Sequence, residues 1–443
     1  MTGSCEITGI GITHALGVGV DKFWKNLLNG KCSFSNISTS RRGNSRSTVG
    51  AELKGFDVGK YFEQGRALER IWPKTVQMAI VASLQAIHDS GLDIRKNSNE
   101  IGLIVGTSVG NLSTTFSFRD KWKETGFTPA HTAFYSFHHA IASVISAELD
   151  IKGPSFTISQ GCSGGMDMLT LGRSIIMAGQ CKSILLVGVD DELVPEIYAA
   201  LEASNSLSDA FNDEPSKALR PFSRNRSGNV LGEGACALVL EEQNFARIRK
   251  AHSYAHVVNT EIGGVGGGRR YDARQPEADA TPLEKSIQRT LETITTEKDA
   301  PKIAICANGS GSILYDPMEA KVLSTLLSHL KPPIFSIKGS VGQHGAPSAA
   351  MQVATAALVI HEKTIPGTIN CDKPIEELGD LEINIATRQE IFDYVICNSI
   401  GLGGFFYSSI TLGRSKLEVN HRIKPAWGNM RLKLAGTFMT SSS

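Results

Sequence analysis

The sequence predicts an α/β protein with buried sheets. Three observations carry that expectation. Short β-branched runs end in glycine-rich or polar turns: "EIGLIVGTSVG" (100–110), "SILLVGVDD" (183–191), "CALVLEE" (236–242) and "DYVICNS" (393–399). Their near-continuous apolar character is that of strands covered on both faces. Between them lie helix-length stretches with apolar residues near helical spacing, such as "TVQMAIVASLQAIHDSG" (75–91) and "PSAAMQVATAALVIHEK" (347–363). That alternation is the pattern of helices layered on sheets. With 443 residues, 41% of them hydrophobic and 20% charged, the chain is long enough for a large core or two domains.

The segment "TEIGGVGGGRRYDARQPEADATP" (260–282) is glycine-rich and polar, and it separates two halves that each begin with a short strand and end in a strand after a Gly turn. The boundary is placed near residue 250, giving an N-terminal half over 1–250 and a C-terminal half over 251–413. The tail over 414–443 is basic, poor in acids and ends in serines. It reads as a surface extension or disordered end, with a docking arm for an acidic partner as the alternative.

Composition excludes several function classes. Lys plus Arg come to 45 against 44 Asp plus Glu, so no overall field favours nucleic acid or an anionic membrane. The eight cysteines are scattered without a CxxC pair, which points to a reducing compartment and away from structural zinc. The opening "MTGSCEITGIGITHALG" lacks a basic region followed by an apolar stretch, and no window approaches the roughly 18 apolar residues of a membrane span. A cytoplasmic protein without metal or cofactor is the expectation. The glycine cluster at 263–268 lacks the Lys-Ser/Thr of a phosphate loop and does not open a helix after a strand.

The stretch "TISQGCSGGMDML" (157–169) places Cys162 just before an apolar, helix-like run. A helix N-terminus lowers a thiol pKa through its unpaired N–H groups and positive dipole end. The same N–H groups hold an oxyanion during acyl transfer. Gly161, Gly164 and Gly165 allow a tight turn and close approach of a thioester. On these features alone a reactive cysteine and a small buried one remain both open.

The surrounding sequence makes Cys162 a candidate acyl nucleophile, with a vestigial thiol as the alternative. "GPSFTISQGCSGGMDMLTLGRSIIMAGQCKSILLVGVDDEL" resembles the active-site segment of the β-ketoacyl-acyl-carrier-protein synthases, in which a strand leads into a nucleophilic cysteine and then a helix. In order along the chain, "GVGVDKFWKNLLNGKCSF" (17–34), "RPFSRNRSGNVLGEGACALVLEE" (220–242), "NGSGSILYDPMEA" (308–320), "KGSVGQ" (338–343) and "NSIGLGG" (398–404) are similar to that family's other motifs. The resemblance spans residues 6 to about 412. It implies a thiolase-like fold, two related halves forming a five-layered α/β/α/β/α core, usually dimeric.

The resemblance also implies what is missing. The family uses two histidines to assist decarboxylation and stabilise the attacking enolate, and their places are taken here by Asn308 and Gln343. An amide donates hydrogen bonds but exchanges no proton near neutral pH. Lys338 matches the family lysine and is expected to order this region by charged hydrogen bonds. His344, one residue beyond Gln343, is expected at a helix start or subunit surface, pointing away from the cysteine. The phenylalanine of the family's "GFGG" is Leu402, which with Cys162 marks the turn positions of the oxyanion site. Within the family the pattern is most similar to the chain length factors (ketosynthase β subunits) of type II polyketide synthases, although those generally carry glutamine where Cys162 stands.

The resemblance therefore implies a non-elongating subunit that pairs with a competent ketosynthase, works with an acyl carrier protein and shapes the acyl tunnel. Phe134, Tyr135 and Phe137, in "FYSFHH" (134–139), are tunnel candidates, with ordinary helix packing as the alternative. Three other readings remain: an acyltransferase that uses Cys162 without elongation, an active ketosynthase with a rearranged site, and a pure scaffold.

Overall fold

The computed structural model describes residues 4–62, 69–264, 279–297, 300–401, 406–415 and 417. In chain order the principal elements of the first half are β1 (Cys5–His14), α1 (Val20–Leu28), α2 (Lys74–Ser90), β2 (Ile101–Thr107), α3 (Leu112–Thr125), α4 (Thr132–Tyr135), α5 (His139–Leu149), β3 (Ser155–Ser159), α6 (Gly164–Met177), β4 (Ser183–Asp191) and β5 (Glu233–Glu242). The second half follows with β6 (Ala255–Gly264), α7 (Thr281–Glu297), β7 (Ile303–Cys306), α8 (Tyr315–Leu327), β8 (Ile334–Phe335), α9 (Gly345–Glu362), β9 (Tyr394–Ile400) and β10 (Phe406–Gly413). All four apolar runs are strands, and both helix-like stretches are helices.

Strand order exposes an internal duplication. The first half runs β3-β2-β4-β5-β1 and the second β8-β7-β9-β10-β6, the same permutation of each half's own strands. The directions agree too. In each half the first strand is antiparallel to the fifth and the fifth to the fourth, while the fourth, second and third are parallel. The two half-sheets join where Cys5, Glu6 and Ile7 of β1 pair with Val257, His256 and Ala255 of β6.

Helices α6 and α9, each following its half's third strand, pack on each other between the half-sheets. Helix α2 covers the outer face of the first half and α7 with α8 that of the second, which gives five α/β/α/β/α layers. The central layer is the deepest part of the core, with Met166, Met168 and Leu169 of α6 buried alongside Ala349, Ala350 and Val353 of α9. Small residues allow this closeness. A Cβ on Gly165 would sit 2.1 Å from the Ala346 carbonyl oxygen and 2.5 Å from the Ala350 nitrogen. Gly165 thus serves helix packing rather than the approach of a thioester to the backbone.

Asp190 at the end of β4 ties the layers together. Its carboxyl accepts from Thr107 Oγ1 (2.6 Å), the backbone N–H groups of Ser108 and Val109 (2.9 Å each) and that of Ala346 (2.9 Å). One buried acid thereby holds the ends of β2, β4 and α9 in fixed relation.

Candidate active site

The duplication brings the motifs together. Cys162 lies in the connection from β3 to α6, and Lys338, Gln343 and His344 lie in the equivalent connection from β8 to α9. Because α6 and α9 pack with their N-terminal ends close, two segments some 180 residues apart become neighbours. Asn308 enters from the end of β7, the central parallel strand of the second half.

Gly161 takes φ +58°, a left-handed conformation that suits glycine, and with Cys162 and Ser163 makes a single 3₁₀ turn that feeds α6. Cys162 is half-buried. Its carbonyl accepts from Ser399 Oγ of β9 at 3.3 Å, so the second half holds the turn directly. Asp167 in the first turn of α6 accepts from Ser163 Oγ (2.8 Å) and from Ser408 Oγ of β10, anchoring the helix start from the other side. Burial raises the Asp167 carboxyl to about 6, against the lowering pull of the two serine hydroxyls.

Lys338 is fully buried and its Nζ donates to Gln343 Oε1. Burial pulls the ammonium down to about 8, while a Cys162 thiolate acts in the opposite direction. The close packing of the α6 and α9 starts is what brings the lysine and cysteine segments together. Asn308 is 2% exposed, and its Oδ1 accepts from the Ile400 N–H at 3.4 Å. Its own backbone N–H and that of Gly309 donate to the two Glu319 carboxyl oxygens, each at 2.9 Å. Burial pushes Glu319 up to about 7, against the hydrogen bonds from Gly309 and Asn308.

His344 turns the other way. Its ring stacks on His14 of β1, centroids 5.0 Å apart and planes 5° from parallel, in a fully buried position at the N-cap of α9. Burial holds it well below the ordinary histidine range, with His14 and Lys338 adding to the effect.

The aromatic trio lies on α4 and the turn after it. Tyr135 is buried, whereas Phe134 and Phe137 are exposed, Phe137 by 56%. Asn111 Nδ2, in the loop after β2, donates to the Phe137 carbonyl at 3.4 Å. Leu402 lies outside the described residues, as does nearly all of 414–443. Sequence reasoning missed Glu319, Ser399, Ser408 and His14. Glu319 of "DPMEA" and Ser399 of "NSIG" lie within quoted motifs, but only the tertiary structure points them inward.

Residues 4–246 match the family described as "Beta-ketoacyl synthase, N-terminal domain", and residues 254–372 its C-terminal counterpart. The chain belongs to the β-ketoacyl synthase family. Among its curated relatives is the tetracenomycin polyketide synthase ketoacyl synthase alpha subunit of Streptomyces glaucescens, 30% identical over 93% of this chain and 97% of that one. Two solved structures share the fold. A type II polyketide ketosynthase in complex with its acyl-carrier protein superimposes with a TM-score of 0.82 at 22% identity, covering 94% of this chain and 100% of the other. The ishigamide ketosynthase/chain length factor gives 0.80 at 21%, covering 93% and 99%. At the motif positions of this family the chain presents a half-buried thiol, a buried lysine and two buried amides.

Proposed function

We propose that the chain is a chain length factor-like subunit that pairs with a competent ketosynthase in a type II polyketide or related fatty-acid-type system, in the cytoplasm, and does not itself elongate. One observation carries this: Asn308 and Gln343 stand where the family histidines act, and the adjacent His344 is stacked against His14 rather than turned to Cys162. General acid–base groups typically contribute ~10²–10⁴-fold, so a site with amides in both places is severely impaired in decarboxylative condensation.

The need for a partner is supported by the surface beside β3. Among the described residues this strand pairs on one side only, with β2, and its Phe156 is 45% exposed. Trp122, Phe127, Phe134 and Phe137 are exposed on the neighbouring α3–α4 segment. An unpaired strand edge beside exposed aromatics favours a second chain. An obligate interface of this kind buries more than ~2,000 Å². One structural neighbour is a ketosynthase/chain length factor and another is an acyl-carrier protein in complex with its ketosynthase, so both partners are proposed here by analogy.

The retained thiol favours a second reading, acyl transfer through Cys162 without elongation. Co-expression with a matched ketosynthase, followed by size-exclusion and mass analysis, tests assembly; a homodimer that ignores the partner counts against the proposal. In the assembled complex Cys162→Ala is expected to keep most elongation, while loss of the partner's nucleophile abolishes it. Equal losses from both would sink the non-elongating reading, and loss of an acyl-transfer step alone would favour the second.

A further inference from the structure

We infer that His14 and His344 form an acid-sensitive latch between the two halves: their stacked neutral rings pin the start of α9 and release it when either ring takes up a proton. The latch stands whether or not Cys162 accepts acyl groups.

His14 closes β1 of the first half, and His344 is the N-cap of α9 in the second. The stretch "LGEGA" (231–235) makes room for both rings. A Cβ on Gly232 would lie 3.1 Å from His344 Nδ1, and one on Gly234 would lie 3.1 Å from His14 Cδ2. Glu233 between them points to the opposite face by strand alternation. There it accepts from the Leu53 N–H, Arg41 Nη2 and Lys74 Nζ. The rings thus gain space on one face while the carboxylate is spent on the other.

His14 Nδ1 accepts from the Leu16 N–H at 3.1 Å, which puts the proton of the neutral ring on Nε2. That Nε2 and both nitrogens of His344 are buried without a hydrogen bond. Rings 5° from parallel send their lone pairs along separate planes, so they do not converge on one metal ion; what either can take up is a proton. The charged groups packed around them offer it no counterion. Lys338 is itself a cation, and Glu233 is paired with Arg41 and with Lys74 of α2. On α2, Asp89 is taken by the Ile10 N–H and the Tyr254 hydroxyl. On β4, Asp190 is taken by Thr107, Ser108, Val109 and Ala346, and burial holds Glu192 well above the usual carboxylate range.

A proton on either ring is therefore a buried charge without a partner. Burial holds His14 down at about 4, although the Val341 backbone and Glu233 pull the other way, and holds His344 well below the ordinary range. Once the stack opens, a ring in water takes its proton at about 6.5. The open form binds more protons, so the latch is at full strength above pH 6.5 and weakens as pH falls towards 4. What it releases is the turn that carries Lys338 and Gln343, whose other ties to the first half include the Gln343 N–H on the Val230 carbonyl (2.9 Å) and the Ser33 N–H on the Ser340 carbonyl (3.0 Å).

The test follows the imidazole ¹⁵N resonances of the full chain from pH 7.5 to 5. At least two of the eleven histidines should stay neutral at pH 5, and the signals lost in His14→Phe and in His344→Leu should be among them. Amide exchange at Gly342, Gln343 and Ala346, corrected for its intrinsic pH dependence, reads the opening itself. From pH 7 to pH 5 their protection should fall about twentyfold through His14 alone and further through His344. Buried acids such as Asp191 and Glu319 titrate in the same range with the opposite sign, so the fall is read against the variants. It should shrink in His14→Phe, which keeps a ring in the stack, and in His344→Leu, and vanish when both are combined. The same pH dependence of protection in wild type and the combined variant would overturn the latch. Where the variants do not fold, the wild-type titration decides: fewer than two histidines neutral at pH 5 overturns it equally.

Discussion

Gly165→Ala should damage stability and site geometry together. The new Cβ would lie 2.1 Å from the Ala346 carbonyl oxygen, 2.5 Å from the Ala350 nitrogen and 3.1 Å from the Ala349 carbonyl carbon, all backbone atoms of α9. Restoring a contact of about 3.5 Å requires α6 and α9 to separate by roughly 1.4 Å at that point. Overpacking of this kind costs about 3 kcal/mol. The same displacement moves Cys162 on one helix start away from Lys338 and Gln343 on the other. A misplacement of about 1 Å costs on the order of 10²-fold in a positioned reaction. Denaturant unfolding reads the first effect, and the rate at which labelled acyl-carrier protein loads Cys162 reads the second. Gly164→Ala is the internal control: its Cβ would meet the Ala346 Cβ at 3.5 Å and nothing nearer, and its φ of −51° is helical. That variant should be neutral or stabilised by about 0.5 kcal/mol. If both glycine variants unfold at the wild-type denaturant concentration, the close packing of α6 on α9 is not what holds the site.

Introducing Asn308→His with Gln343→His should raise carbon dioxide release from malonyl-carrier protein by about 10²-fold, since two proton-exchanging groups return; release that stays at background would mean that the amides are not what silences the site. Replacing Phe134, Tyr135 or Phe137 by Ala in the assembled complex should lengthen the product by one or more two-carbon units if the ring closes the tunnel, as mass spectrometry of extracted products would read. Unchanged length in all three, with assembly intact, assigns them to packing. For Lys338 the pH sign is set by its lowered pKa. The unfolded chain holds the lysine proton up to about 10.5 and the folded chain only to about 8. Stability from this group therefore rises as pH increases from 8 towards 10.5, by about 3 kcal/mol at 1.36 kcal/mol per unit. Lys338→Met should remove that rise relative to wild type, measured by denaturant unfolding at pH 8 and pH 10; parallel pH dependences would refute it.

The sequence by itself determined the α/β class and the elements that are apolar throughout. β4 covers Ser183–Asp191 as its run predicts, and β5 begins only three residues ahead of "CALVLEE", at Glu233. Such strands are legible because both faces are buried, so composition alone reports burial. β10 was not read from composition, for the converse reason. Ser408, Ser409 and Thr411 are polar yet buried, and Ser408 and Ser409 are satisfied by Asp167 and Asn398, partners far away or on the adjacent strand. The motif residues Cys162, Asn308, Lys338 and Gln343 were equally legible through family resemblance, and their chemistry followed from residue type. Only the tertiary structure decided how they face one another. The matching strand orders of the two halves set the turns before α6 and α9 side by side, and no local pattern encodes a juxtaposition across some 180 residues. The same holds for His344, whose direction depends on a stacking partner 330 positions away in β1. The amide oxygens of Asn308 and Gln343 are likewise held by single donors, the Ile400 N–H and the Lys338 Nζ, because a side chain with two different ends takes its orientation from whatever the fold places beside it.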